Sequence, residues 1–104
     1  MARRLTIIEL QGDPDLLLAT KRRLVDPAFR AVVSRHGLIS HLAARRVDGL
    51  TVVNLWESAS DMEAAYAEPT VRQALLDWAE AMPEIGLPKM QHYEVTDYIA
   101  FASE

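Results

Sequence analysis

The stretch from Gly37 to Tyr66 constrains the fold more than any other part of the chain. Two runs rich in β-branched and other apolar residues, 38–47 and 50–56, flank the pair Asp48-Gly49. An Asp-Gly pair between two such runs favours a β-hairpin with a type I′ turn. The stretch therefore predicts a strand, a tight turn, a second strand and then a helix.

The start of that helix offers two possible N-caps. Ser58 and Ser60 are both of the residue type that accepts hydrogen bonds from the first helical turn, and each has an acidic residue three positions on. Asp61 and Glu63 are thus candidate capping-box partners, and Glu63 is expected to be the better one.

The flanking segments supply a further strand and helix. Each predicted break coincides with proline or glycine, the residues that end regular structure. Before the hairpin, the sequence predicts strand 5–10 and a helix that starts at Asp13-Pro14 and is broken or kinked by a second Asp-Pro pair at 26–27. After the hairpin, Pro69 interrupts the last helix, which resumes over 70–82, and strand 89–101 follows. The fold class is therefore α+β, with the ferredoxin-like order β-α-β-β-α-β and one four-stranded antiparallel sheet.

Length and charge limit the possible functions. The chain of 104 residues is expected to form one domain over residues 1–104, with a single core. A formal net charge of −4 and the lack of a basic stripe argue against nucleic-acid binding. The N-terminal apolar run ends at Glu9, which is too short for a signal peptide or a membrane span, so we expect a cytoplasmic protein without membrane association.

Motifs for cofactors and metals are missing from the sequence. The four glycines do not have the spacing of a dinucleotide or phosphate loop, and the chain has no cysteine. The three histidines, His36, His41 and His92, form no pair with zinc-ligand spacing. We therefore expect neither a cofactor nor a bound metal.

Both faces of the predicted sheet carry apolar residues. Ile7 and Ile8 are adjacent in the first strand, and in the third strand Val53 and Leu55 alternate with Val52 and Trp56. Two helices can cover one face only, so the other face requires a partner. This pattern predicts a homodimer formed sheet to sheet.

The third strand also holds the best candidates for a site. Asn54 and Trp56 share one face because side chains alternate along a strand. If that face meets the helices, the indole could stack on a flat substrate while the amide stabilises the anion of a phenol or enol. His41, in the second strand, could be a base, although a hydrogen-bonded interface histidine is the alternative. Core packing is the alternative for Trp56, and hydrogen bonding at the end of the strand is the alternative for Asn54.

Further residues could surround a ligand. Met62 and Tyr66 lie one turn apart in the second helical region, and Trp78 lies farther along it. Because such side chains enclose few polar groups, any ligand is expected to be a small hydrophobic molecule. His92 could shuttle a proton or be structural, His36 is expected at a helix C-terminus, and Lys21, Arg22 and Arg23 are expected on a solvated helix face.

The chain resembles the antibiotic-biosynthesis-monooxygenase-like domains of the dimeric α/β-barrel superfamily over nearly its whole length. The resemblance is strongest at Gly12-Asp13-Pro14-Asp15, at 37–41, at Asn54 to Ser58 with its Trp-Glu-Ser triplet, and at Glu68-Pro69. It implies dimerisation into an α/β barrel and, for the function, a cofactor-independent monooxygenase acting on an aromatic or polyketide-like substrate.

Residue-by-residue comparison with subgroups of this superfamily narrows the activity. Heme-degrading relatives carry a histidine a few residues past the proline, where this chain reads Thr-Val-Arg-Gln-Ala-Leu-Leu after Pro69, so heme degradation is not expected. Anthrone-type oxygenases share the tryptophan at Trp56, but their asparagine stands where this chain has Val52. Asn54 has the same strand parity as Val52, so its amide could face the same cavity.

Two other functions remain open from the sequence. An isomerase or cyclase could use the same cavity, with His41 or His92 shuttling a proton. A non-catalytic dimer that binds a hydrophobic ligand or a partner is the third possibility, since a fold does not determine a reaction.

Overall fold

The computed structural model describes residues 2–83 and 88–99, and these residues form the predicted β-α-β-β-α-β order. The first helical region has two α-helices joined by a π-helical turn, and the second has two α-helices that meet at Pro69. The elements are β1 (Arg4–Gln11), α1 (Pro14–Thr20), the π-helical turn (Lys21–Val25), α2 (Asp26–Val32), a 3₁₀ turn (Val33–Arg35), β2 (Leu38–Arg46), β3 (Gly49–Trp56), α3 (Ala59–Ala67), α4 (Pro69–Ala81) and β4 (Lys89–Glu94).

The four strands form one antiparallel sheet in the order β2-β3-β1-β4. This order confirms the ferredoxin-like prediction. The register places Thr6 opposite Asn54 and His41 opposite Asn54 on its other side, so these three side chains lie side by side. Their face of the sheet is covered by the helices, since Thr6 and Asn54 are buried.

The β2–β3 hairpin differs from the predicted one. Its closing pair is Arg46 and Gly49, which makes Val47 and Asp48 the two turn residues. A type I′ turn needs positive φ at both turn residues, whereas no described residue other than glycine has positive φ. Gly49 is required for a different reason, because a Cβ atom there would overlap the carbonyl oxygen of Leu10 in β1.

The N-terminus of α3 is capped by Ser58, one of the two candidate N-caps that the sequence offered. The Ser58 hydroxyl accepts a hydrogen bond from the Asp61 backbone N–H at 3.1 Å and donates to Asp61 Oδ2 at 3.0 Å. The expected preference for Glu63 is wrong, because the helix begins at Ala59 and Asp61 is then in the capping position.

Lys21 is not on the solvated face predicted for it, because it follows the buried Leu17 by four residues and so shares the inward face of the helix. A π-helical turn begins at Lys21. Pro27 has no N–H and its ring clashes with the carbonyl four residues earlier, so a regular α-helix is disfavoured there. The backbone N–H of Asp26 instead bonds to the carbonyl of Lys21, five residues back. This bond places the Asp26 carboxylate beside the inward-facing Lys21, of which only 4% is exposed.

The core lies between the sheet and the helices. One group of buried side chains centres on Leu10, Leu17, Leu50 and Trp78, and a second centres on Trp56, Met62 and Ala65. Strand β4 is shorter than predicted and ends at Glu94, after which the Val95 N–H donates to the Arg3 carbonyl. The predicted end of this strand at Phe101 lies outside the described residues.

On the opposite face of the sheet, no helix of the described residues covers the strands. Its side chains include Leu42 and Tyr93, which are 50% and 46% exposed, and the partly exposed Leu5, Val53 and Leu55. The predicted apolar character of both faces is thus present in the fold. None of the described helices combines the length and apolar character needed to cross a membrane.

Candidate functional site

A cavity of about 270 Å³ lies between the sheet and the helices. Most of its walls are apolar or aromatic, and they come from β1, β3, β4 and the helical layer. The apolar residues include Ile8, Val25, Phe29, Val52, Leu75, Trp78 and Met90, and the polar ones are Lys21, Asp26, His41, Asn54 and Tyr66. Such a site suits a small hydrophobic ligand that carries one or two polar groups.

The polar residues of the cavity form one hydrogen-bonded chain. Lys21 Nζ lies 2.7 Å from Asp26 Oδ1 and 2.9 Å from His41 Nε2. His41 Nδ1 lies 2.5 Å from Asn54 Oδ1, and Asn54 Nδ2 lies 3.4 Å from the Tyr66 hydroxyl oxygen. The chain runs from Asp26, which is partly exposed, to Tyr66 inside the site.

The direction of these hydrogen bonds follows from Lys21. An ammonium group only donates, so His41 Nε2 accepts from Lys21 and the ring proton is on Nδ1. That proton is donated to Asn54 Oδ1, and the Asn54 amide then donates to the oxygen of Tyr66. The hydroxyl proton of Tyr66 therefore remains available as a donor to a ligand.

Burial affects the ionisation of Tyr66. Desolvation raises the pKa of the Tyr66 phenol above its ordinary value of 10.0, while the hydrogen bond from Asn54 offsets part of that rise. The phenol is therefore neutral at pH 7 and acts as a hydrogen-bond donor.

Four of the six predicted site residues line the cavity. His41, Asn54, Tyr66 and Trp78 are in its wall, and His41 is at the exposed rim. His41 thus faces the cavity, which was one of the two orientations that the sequence allowed. Whether these residues act on a ligand stays a prediction.

The other two, Trp56 and Met62, lie outside the cavity wall. Trp56 is fully buried behind Tyr66, with ring centroids 6.0 Å apart, because it is at the end of β3 where α3 begins. Its Nε1 has no hydrogen-bond partner among the described residues. Met62 lies beneath Thr6, whose hydroxyl donates to the Met62 sulfur at 3.2 Å. Both side chains pack behind the site.

The remaining histidines are outside the cavity. His92, on strand β4, has its Nδ1 atom 3.0 Å from the hydroxyl oxygen of Thr6 on β1. His36 Nε2 lies 2.8 Å from Glu68 Oε1. His36 follows the last turn of the first helical region, as predicted. Within residues 2–83 and 88–99, no group of three His, Cys, Asp or Glu side chains is arranged to hold a metal ion.

Lys21 and Asp26 are the two site residues that the sequence did not indicate. The composition of Lys21, Arg22 and Arg23 favours a common solvated face, but successive helix positions point in different directions. The signal that was present is spacing, because Lys21 is four residues after Leu17 and four before Val25, and both of these apolar residues are buried.

Comparisons with known proteins support the fold. No protein-family model matches the sequence, and no curated protein matches it. A dimeric ferredoxin-like protein from an uncultured marine organism is similar at a TM-score of 0.77 and 11% identity, covering 98% of this chain and 95% of that one. A Deinococcus radiodurans protein named for the antibiotic biosynthesis monooxygenases is similar at a TM-score of 0.68 and 18% identity, covering 96% and 99%.

SnoaB from Streptomyces nogalater, a cofactor-independent oxygenase, is similar at a TM-score of 0.67 and 14% identity, covering 95% of this chain and 98% of that one. Identities of this size establish a shared fold and leave the reaction open. The chain has the fold of antibiotic-biosynthesis-monooxygenase-like domains, as the sequence resemblance implied.

Proposed function

We propose that this protein is a cofactor-independent monooxygenase that acts on a small, largely apolar phenol or enol. The observation that carries the proposal is the pairing of His41 with Asn54 at one wall of an apolar cavity whose other walls include Tyr66 and Trp78. The fold shared with SnoaB, which is a cofactor-independent oxygenase, agrees with this assignment.

The chemistry needs a base, a site for an anion and a flat hydrophobic surface. His41 would accept the hydroxyl proton of the substrate, and the Asn54 amide would stabilise the resulting anion. The electron-rich anion then reacts with dioxygen. One oxygen atom enters the ring or carbon chain, the other leaves as water, and a phenol is thereby oxidised to a quinone with dioxygen as the only oxidant.

Trp56 and Met62 have an indirect role in this proposal. Trp56 supports the ring of Tyr66 from behind, so its substitution would alter the shape of the cavity without removing a group that touches substrate. The stacking surface that the sequence assigned to Trp56 would instead come from Tyr66 and Trp78.

Oxygen uptake with a panel of one- and two-ring phenols and enolisable ketones tests the reaction. We expect uptake without added metal, flavin or nicotinamide, and incorporation of one atom of ¹⁸O₂ into the product. Asn54→Ala and His41→Ala should lower kcat/KM by about 10²-fold or more. His36→Gln is the matched control, because His36 pairs with Glu68 away from the cavity.

Two results would contradict the proposal. Uptake unchanged in both Asn54→Ala and His41→Ala would remove the assigned roles. Turnover that continues under anaerobic conditions would instead indicate the isomerase or cyclase alternative, because such a reaction consumes no oxygen.

We further propose that the protein forms a homodimer through the open face of its sheet. Leu42 and Tyr93 are large apolar side chains half exposed on that face, and monomeric proteins rarely leave a continuous apolar sheet surface in water. The similar protein from the marine organism is itself described as dimeric.

Sedimentation velocity tests the dimer. Leu42→Asp should shift the protein to monomers, because a carboxylate would be buried without a partner in the interface. Leu76→Asp is the matched control, since Leu76 is 64% exposed on α4 in the helical layer. A wild-type monomer, or equal effects of the two substitutions, would contradict the proposed interface.

A further inference from the structure

We propose that Lys21 is the anion-binding residue of the cavity and that it restricts the substrate to one- or two-ring molecules with a weakly acidic hydroxyl group. This inference deepens the proposed function and rests on the same cavity. In this inference the charge-stabilising role passes from the Asn54 amide, whose oxygen and nitrogen already bond to His41 and Tyr66, to a residue that neither the sequence pattern nor the sheet had indicated.

The Lys21 side chain is placed as a buried cation rather than as a surface charge. Only 5% of the side chain is exposed, Lys21 lines the cavity, and its ammonium group lies 2.9 Å from His41, another lining residue. A long charged side chain is rarely buried without a specific partner, and here the partner is the carboxylate of Asp26 at 2.7 Å.

The Lys21 ammonium has one N–H group that is not hydrogen-bonded to any described residue. Among the described residues its hydrogen bonds go to Asp26 Oδ1 and His41 Nε2, which account for two of the three N–H groups of a lysine. An ammonium has no lone pair, so Lys21 in this state cannot attack a carbonyl group. It can donate to a negatively charged oxygen, and a charged donor does so more strongly than a neutral amide.

The place for that oxygen is beside both Lys21 Nζ and His41 Nε2, which are 2.9 Å apart. When a hydroxyl enters there, His41 Nε2 exchanges the hydrogen bond from Lys21 for one from the hydroxyl, and the O–H bond then breaks as the proton moves to Nε2. The electron pair stays on the ligand oxygen, which then accepts from Lys21 Nζ. His41 Nδ1 keeps its hydrogen bond to Asn54 Oδ1 throughout, so the imidazolium is held in place at the exposed rim of the cavity.

The cavity volume sets the size of the ligand. A cavity of about 150 Å³ lined by apolar side chains holds one benzene molecule. The cavity here, about 270 Å³, is less than twice that size and fits one or two fused rings. Trp78 and Phe29 give it aromatic walls.

Binding of 2-naphthol and of 2-methoxynaphthalene tests the inference. The two probes have nearly the same shape, but only the naphthol can lose a proton. Calorimetry is done at a pH where 2-naphthol is partly ionised in solution. The wild-type protein should then bind 2-naphthol at least about tenfold more tightly than 2-methoxynaphthalene, and absorbance should show a larger fraction of naphtholate among bound than among free naphthol.

Lys21→Met should remove the preference, while Lys21→Arg, which retains a cationic donor, should keep part of it. The methyl ether should bind Lys21→Met as well as wild type, and this shows that the cavity is intact in that variant. A preference for naphthol that is unchanged in Lys21→Met would overturn the inference, as would failure of wild-type protein to bind either probe.

The outcomes also separate this inference from the proposed reaction. Lys21-dependent preference for naphthol without oxygen uptake by any substrate would support the anion site and contradict the monooxygenase. Oxygen uptake with no effect of Lys21→Met on kcat/KM or on naphthol binding would support the monooxygenase and overturn the role of Lys21.

Discussion

Lys21 and Asp26 are joined twice across a single π-helical turn. The backbone N–H of Asp26 bonds to the carbonyl of Lys21, and the Lys21 ammonium bonds to the Asp26 carboxylate at 2.7 Å. The two partners differ in burial, since the lysine side chain is 5% exposed and the aspartate side chain is 21% exposed. This difference makes the consequences of removing each partner unequal.

We predict that Asp26→Asn destabilises the protein more than Lys21→Met. Loss of the carboxylate leaves a buried ammonium without its counter-charge, which we expect to cost about 2 kcal/mol. In Lys21→Met an apolar side chain of similar length occupies the same space and water can solvate Asp26, so the cost should be below about 1 kcal/mol. Urea unfolding at pH 7 measures both, and the opposite order would contradict the assignment of Lys21 as the buried partner.

Substitution of Gly49 should disrupt the β2–β3 hairpin. A Cβ atom at this position overlaps the Leu10 backbone oxygen, and a neighbouring backbone atom cannot move away without breaking the pairing of β1 with β3. We expect Gly49→Ala to lower the free energy of unfolding by about 3 kcal/mol or more. Thermal and urea unfolding provide the measurement.

Gly37→Ala is the matched comparison for Gly49→Ala. Gly37 has φ +62°, and a Cβ there would lie 2.7 Å from Asp61 Oδ2, the end of a side chain that can rotate. The cost is therefore mainly the left-handed backbone of a non-glycine residue, about 1–2 kcal/mol. A larger loss from Gly37→Ala than from Gly49→Ala would show that backbone conformation outweighs the close approach.

Tyr66 should ionise above pH 10.0 in the folded protein. Burial raises the pKa of its phenol, so its contribution to stability is fully present below pH 10.0 and is lost as the pH rises through the folded-state value. Tyrosinate absorbance of wild type minus that of Tyr66→Phe isolates this group. A difference curve with its midpoint at or below pH 10.0 would be inconsistent with a buried phenol at this position.

Glu68 should contribute to acid unfolding. The hydrogen bonds from His36 and Arg35 hold the pKa of its carboxyl below the ordinary value of 4.5. Because the folded-state pKa is the lower one, the contribution to stability is present above about pH 4.5 and is lost as the pH falls through the folded-state value. Urea unfolding from pH 6 to about pH 3 measures the free energy of unfolding at each pH. This free energy should fall less steeply with decreasing pH in Glu68→Gln than in the wild type, and equal slopes would argue against the pairing.

The sequence predicted the order of strands and helices because the signals for it are local. The alternation in β3, the Asp-Pro and Ser-capped helix starts and the break at Pro69 each act within a few residues. The position of the turn between β2 and β3 was harder to predict. Gly49 is in β3 and not in the turn, and a Cβ atom there would overlap the carbonyl of Leu10, a residue far away in the chain.

The candidate site was predictable in part for the same reason. Strand parity placed Asn54 correctly on the helix-covered face, and His41 is its neighbour in the register. Parity alone could not show that Trp56, on the same face, lies behind Tyr66 and not in the cavity wall. The inward direction of Lys21 follows from its spacing of four residues from Leu17 and from Val25, a signal that the charge of Lys21 and of the two arginines after it outweighed in the prediction.

Lys21 is one of the inward-facing positions of the first helical region, which also include Leu17, Val25, Ala28 and Val32 at spacings of three or four residues. An apolar residue of similar size in place of Lys21 would extend this stripe into the core without a change anywhere else in the helix. The charge inside the cavity therefore depends on one side chain, so over evolution a single substitution could change the chemistry of the cavity while every residue of the sheet stayed the same.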